Sequence, residues 1–172
     1  MQNCPNIEGN NVTLDELDLK ILDLLQTDAA LTVAEIADRV GLSKNPCWRR
    51  IRAMEDGGYI RGRVAVLDRA RMNVGQTVFV AIRAGRHNVD WLAKFERAVE
   101  GIQEIIGAYR LSGDTDYLLH IVVPDIEAYD GVYKRLIARC DFESVSSSFV
   151  MEELKQTSAL PLDYLDVRLR RG

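Results

Sequence analysis

Positive charge is concentrated in one stretch of the chain. Between residues 44 and 71 stand Lys44, Arg49, Arg50, Arg52, Arg61, Arg63, Arg69 and Arg71 against Glu55, Asp56 and Asp68, an excess of five positive charges. Residues 13–40 carry the opposite balance, seven acids against two bases. The overall charge is −4, which argues against a protein that coats nucleic acid indiscriminately. A local cationic patch in such a chain suits a polyanion, because guanidinium forks match phosphate oxygens. A solvated helix face would have the same composition, so the elements that carry these residues must decide.

Other residue types offer less. Cys4, Cys47 and Cys140 are odd in number, lack Cys-x-x-Cys spacing and have only His87 and His120 to assist them, so structural zinc and a disulfide framework are not expected. The Ser146, Ser147, Ser148 run has neither a nearby base nor a Gly-x-Ser-x-Gly elbow, and no phosphate-cradling Gly-x-x-x-x-Gly-Lys loop is present. An enzyme is therefore disfavoured. In "SGDTDY", Asp114 and Asp116 could accept from an ammonium group, and Gly113 could let backbone amides approach a carboxylate. A plain hairpin turn accounts for the same residues.

The basic stretch falls on a recognisable arrangement of helices. "TLDE" (Thr13 to Glu16) has capping-box spacing, and Leu14, Leu17, Ile21, Leu24 and Leu25 then form an apolar stripe. "TVAE" (Thr32 to Glu35) opens a second helix that stops near Gly41, and Ser43 caps a third in which Pro46 occupies the tolerant first turn. On that third helix Cys47, Ile51 and Met54 share the core face, while Asn45, Trp48, Arg49 and Arg52 point away. Helices joined by "VGLS" make a helix-turn-helix, whose second helix enters the DNA major groove. Ser43 and Lys44 at its N-terminus suit phosphates, and Arg49 and Arg52 suit guanine edges or phosphates. Trp48 contacts either DNA or the following segment, and Arg50, nearer the apolar face, is expected to pair with an acid among residues 15–23. After Gly57 and Gly58, "YIRGRVAVLD" alternates like a strand pair turning at Gly62, a wing that lays Arg61 and Arg63 on phosphates.

The second half changes period. Strand-like runs at Thr77–Gly85, "IQEIIGAYRLSG", "DYLLHIVVP" and "VSSSFVMEELKQ" alternate with helical runs at Asn88–Val99 and Asp125–Ala138. Asn88 and Asp125 are the helix caps; Leu92, Phe95 and Val99 face inward from the first helix, and Ile126, Tyr129, Tyr133, Leu136 and Ile137 from the second. The order β-α-β-β-α-β predicts a ferredoxin-like sheet with both helices on one face. Phe79 and Ala81 make the other face apolar as well, so a second subunit is expected to cover it. The fold class is α+β: an N-terminal winged helix-turn-helix at residues 13–64, a linker at 65–75, a ferredoxin-like domain at 76–157 and a tail at 158–172.

These motifs together resemble the Lrp/AsnC (feast/famine) family of bacterial transcriptional regulators. The resemblance is carried by "LDELDLKILDLLQTDAALTVAEIADRVGLS", "PCWRRIRAMEDGGYIRGRVAVLD" and "SGDTDYLLHIVV", in order over residues 13–162. Within the family, "PCW", "HNVDW" and "SSSFVMEELKQTSALPL" are most similar to the cysteine-responsive branch. The resemblance implies a homodimer, or a tetramer or octamer built from it, that binds double-stranded DNA and responds to a small amino acid between its C-terminal domains. It places effector and interface contacts on Ser112, Gly113, Asp114, Asp116 and Tyr117. "IQEI" and "CDFES" replace the family's usual Pro-Glu-Val and Pro-Gly, and the tail "DYLDVRLRRG" runs past the usual end. Two alternatives stay open: an effector-independent architectural DNA-binding protein, and an amino-acid-binding module whose helix-turn-helix contacts protein. No cofactor is expected. Without an apolar run long enough to span a bilayer or a leader-like start, the expected location is cytoplasmic, with no membrane partner.

Overall fold

The computed structural model describes residues 13–85 and 88–165. Cys4, His87 and the tail arginines 168, 170 and 171 lie outside the described residues. The described residues form two compact units, one comprising residues 13–65 together with 156–165, the other drawn from residues 66–155. No helix among the described residues is long and apolar enough to cross a membrane.

The first unit holds α1 (Glu16–Thr27), α2 (Val33–Val40) and α3 (Lys44–Asp56). Helix α1 begins later than the spacing predicts. Asp15, not Thr13, is its N-cap, and Asp15 and Asp18 form the reciprocal box in place of Thr13 and Glu16. Helix α2 starts as expected, with Thr32 and Glu35 exchanging bonds, and ends at Gly41 with φ of 73°. Leu14, Ile21, Leu25, Ile36, Cys47, Ile51 and Met54 share one core. Near the far end of the chain, Gln26 Nε2 donates to the Leu160 carbonyl and Gln26 Oε1 accepts from the Leu160 N–H, at 3.1 and 2.9 Å, tying residues 156–165 to α1.

The expected strand pair turning at Gly62 does not form among the described residues; 59–68 run without ladder hydrogen bonds. A two-stranded ribbon is marginal on its own, and the apolar half of this one finds nothing to pack against: Val64 and Val66 are 82% and 88% exposed.

The second unit contains β1 (Gln76–Arg83), α4 (Val89–Glu100), β2 (Ile105–Arg110), β3 (Tyr117–Val123), α5 (Ile126–Ile137) and β4 (Ser144–Phe149). The sheet is antiparallel throughout, in the order β2-β3-β1-β4. Asn88 and Asp125 cap the two helices through their side chains, as the sequence predicts. Val78, Val80, Ile82, Leu119, Ile121 and Val123 meet Trp91, Phe95, Ala98, Tyr129, Val132 and Leu136 in the core. Ile126 and Ile137, expected inside, are exposed, because the buried stripe of α5 runs through Tyr129, Val132 and Leu136 and these two residues lie at its flank. The side of β1 away from this core carries Phe79, 36% exposed and stacked on His120 with ring centroids 4.9 Å apart.

Candidate nucleic-acid interface and effector turn

Helix α3 separates its two faces cleanly. Cys47, Ile51 and Met54 are fully inside, and burial raises the Cys47 thiol above its ordinary value. Lys44, Asn45, Arg49 and Arg52 are exposed, and Trp48 presents 52% of its surface. A tryptophan so open is costly in water unless a partner uses it, and sugars or thymine methyls are suitable partners. Ser43 stands at the N-cap, yet its hydroxyl makes no capping bond and is available to a phosphate.

Arg50 points the other way. Its Nη1 donates to Asp15 Oδ2 and Asp18 Oδ1, each at 2.8 Å. The expected pair with an acid among residues 15–23 is thus a three-residue clamp between α3 and the start of α1. Hydrogen bonding to Asp18, followed by the opposing effect of burial and then the bond to Asp15, leaves the Arg50 guanidinium raised above its ordinary value. Burial alone would raise the Asp15 carboxyl, but the Asp18 N–H and the Arg50 guanidinium outweigh it and hold it below the usual range. Arg50 is therefore committed within the fold, whereas its neighbour Arg49 makes no ion pair among the described residues.

Glu55 was not singled out by the sequence. Its two carboxylate oxygens hold Arg52 at 3.3 Å and Arg63 at 3.2 Å. Such partly exposed pairs contribute little stability, but they hold two guanidinium groups on the same side of α3. The signal for the first was the i,i+3 spacing on α3; nothing local marked the second. Lys44, Arg49 and Arg61 make no ion pair among the described residues.

The turn between β2 and β3 divides the five residues of the second constellation. Ser112, Gly113 and Asp114 are exposed at its tip, where Gly113 has φ of 119°, a conformation that only glycine adopts readily. Asp116 Oδ2 accepts from the Ala84 N–H at 2.8 Å, while the Asp116 backbone bonds to Leu111 and Ile82. Tyr117 is buried against Phe95 and Trp91, with ring centroids 4.6 and 5.6 Å away. Asp116 and Tyr117 thus build the turn rather than present themselves at its surface. The two clefts described on this unit are lined by other residues.

Residues 14–61 match the winged helix-turn-helix DNA-binding domain, and residues 77–160 match the Lrp/AsnC ligand-binding domain. The glutamate uptake regulatory protein of Zymomonas mobilis is 50% identical over 149 residues, spanning 87% of this chain and 91% of that protein. The chain belongs to the Lrp/AsnC family. The DNA-binding transcriptional activator DecR of Escherichia coli is 39% identical over 151 residues, covering 87% of this chain and 99% of its own. Among solved structures, an AsnC family regulator from Agrobacterium tumefaciens superposes with a TM-score of 0.85 at 53% identity, covering 88% and 99% of the two chains. A Neisseria meningitidis transcriptional regulator in complex with L-Met gives 0.84 at 36% identity, covering 88% and 98%. This Lrp/AsnC chain is accordingly a DNA-binding transcriptional regulator with a ligand-binding domain, not an enzyme. The relatives include a glutamate-uptake regulator as well as DecR, so the family as a whole is established and no branch within it.

Proposed function

We propose that the chain reads a double-stranded operator through Ser43, Lys44, Asn45, Trp48, Arg49 and Arg52, with Arg61 and Arg63 on flanking phosphates. A small amino acid held at the Ser112–Asp114 turn between C-terminal domains of paired subunits shifts that affinity. The observation that carries the reading is the division of α3. One face is sealed into the core, Arg50 is consumed by Asp15 and Asp18, and the outward face offers Trp48 together with Lys44 and Arg49, which make no ion pair among the described residues. In this reading residues 13–64 bind DNA, 76–157 bind effector and self-associate, and 65–75 link them.

The sheet supports dimerisation. Phe79, Tyr109 and Leu118 lie on its outer side, and a second copy covers them most simply. A two-fold dimer also presents two recognition helices to a two-fold-related site. At the turn, Asp114 supplies a carboxylate for the effector ammonium, the backbone around Gly113 meets the effector carboxylate, and Asp116 and Tyr117 fix the loop. A second subunit completes the enclosure that the single turn lacks. The L-Met complex of the meningococcal relative supports an amino acid as the ligand class, and cysteine is the first to try. The effector acts only to the extent that it favours one assembly, or one spacing of recognition helices, over another.

Fluorescence anisotropy with DNA from upstream of the chain's own gene tests this, titrated with salt and with each amino acid. Affinity that falls steeply with salt and shifts with one amino acid supports the reading. Salt-sensitive binding that no amino acid moves replaces the effector half with an architectural role. Arg52→Ala should cost about 1–3 kcal/mol of specific binding if it reads a base, and Asp114→Ala should abolish the effector response while sparing the fold.

A further inference from the structure

The helix layer of the C-terminal unit carries a second concentration of positive charge that DNA reading by α3 leaves unused. Lys94 and Arg97 stand one turn apart on α4, and Arg139 follows the end of α5. With Ala98 these residues line a cleft of about 350 Å³. None of the three makes an ion pair among the described residues. Asp141, which shares the neighbourhood of Cys140 with Lys94 and Arg139, pairs with neither. In a chain of net charge −4 with acids close by in sequence on α4 and Asp141 near Cys140, three cations gathered without an ion pair among the described residues stand out.

Arg139 is also positioned. Its Nη1 donates to the Ala98 carbonyl at 3.4 Å, and a Cβ on Gly101 would lie 2.8 Å from that nitrogen. The missing side chain at Gly101 therefore leaves room for the guanidinium against the last turn of α4. Exposed carbonyls there carry partial negative charge, which is reason enough for Arg139 to be present. They do not account for Lys94 and Arg97, which face the same cleft from the helix flank.

We propose that this cleft binds a phosphate-bearing anion. Two guanidinium forks and one ammonium around one opening match the several oxygens of a phosphoryl group, and a multivalent anion relieves the mutual repulsion of the three cations. The same chemistry is presented by a free phosphorylated metabolite and by a nucleic-acid backbone. Because the cleft is open to solvent, binding weakens as salt rises.

The test uses the full chain and the double variant Lys94→Gln/Arg97→Gln. Both side chains are exposed and unpaired, so the variant retains the thermal midpoint of the parent; Lys94→Gln alone serves as a milder second variant. Calorimetric titration with pyrophosphate at low salt is expected to show binding that the double variant weakens roughly tenfold or more. In parallel, anisotropy compares a short duplex limited to the operator with a longer one. An unchanged short-duplex affinity with a loss confined to the longer duplex, and no heat from pyrophosphate, assigns the cleft to the nucleic-acid backbone. Loss of pyrophosphate binding with both duplexes unaffected assigns it to a free phosphate compound. Equal behaviour of parent and variant in every titration overturns the proposal.

Discussion

Replacing Arg50 by alanine should loosen the DNA-binding unit without touching the surface that meets DNA. The substitution deletes two charge-assisted hydrogen bonds of 2.8 Å, each of a kind that contributes about 1.5–3 kcal/mol. Arg50 and Asp15 keep 30% and 23% of their side-chain surface in water, which screens their bond toward the low end. Asp18 keeps only 8%, so its carboxylate would be stranded with the Asp15 N–H at 2.9 Å as its remaining described partner. The expected loss is about 2–4 kcal/mol, a large share of the margin of an ordinary domain. Hydrogen exchange of the α1 and α3 amides isolates this unit from the sheet. Its protection should fall by about 30-fold to several hundred-fold, since each 1.4 kcal/mol is a factor of ten. Under conditions where the variant is folded, its operator affinity should match the parent, whereas Arg49→Ala should lose affinity and keep protection. A change in protection below about twofold, or a loss of operator affinity with protection intact, would refute the clamp.

Three further outcomes follow. Asp15 has a folded-state pKa below its unfolded one, so the unfolded chain binds the extra proton; stability from this group is complete above the ordinary aspartate range and is lost as pH falls through the lowered value. Acid titration of α1 exchange should show that loss, and Asp15→Asn should flatten it. Gly113→Ala forces a side chain into φ of 119° and should cost about 1–3 kcal/mol in thermal stability while erasing any amino-acid response; an unperturbed response would show the turn to be irrelevant to the ligand. Phe79→Glu places a charge on the uncovered sheet side beside His120, and sedimentation should show a shift toward monomer, whereas an unchanged oligomer would place the interface elsewhere.

Much of this was legible because the relevant forces are local. The polar caps at Thr32, Asn88 and Asp125, the inward Cys47, Ile51 and Met54, and the inward turn of Arg50 all follow from helical geometry over a few residues. What failed depends on surroundings. Thr13 and Asp15 each begin a sequence with capping-box spacing, and Arg50, thirty-five residues later, draws Asp15 and Asp18 together. Ile126 and Ile137 are close to the right period, but the sheet covers the stripe centred on Val132 and Leu136 and leaves this flank in water. The strand pair around Gly62 has the right alternation, yet Ile60 alone of its apolar residues packs on the helical core, while Val64, Val66 and Leu67 stay in water. Tyr117 opens a strand-like run in the sequence, and which face its ring takes is decided by Trp91 and Phe95 arriving from α4.

The strand order also sets a timetable for synthesis. Strand β1 is central, and its two neighbours are made later: Val80 pairs with Leu119 on one side and with Ser147 on the other. As the chain emerges from a ribosome, β1 must wait for most of the following sequence before both edges are satisfied, while α1, α2 and α3 meet one another over short separations. The three-helix core can therefore assemble while the sheet is still incomplete, and the pairing of β4 with β1 is the last contact the sheet needs. Until that closure, the β4-facing edge of an apolar strand is open to other nascent chains, so self-recognition and misassembly compete for the same surface.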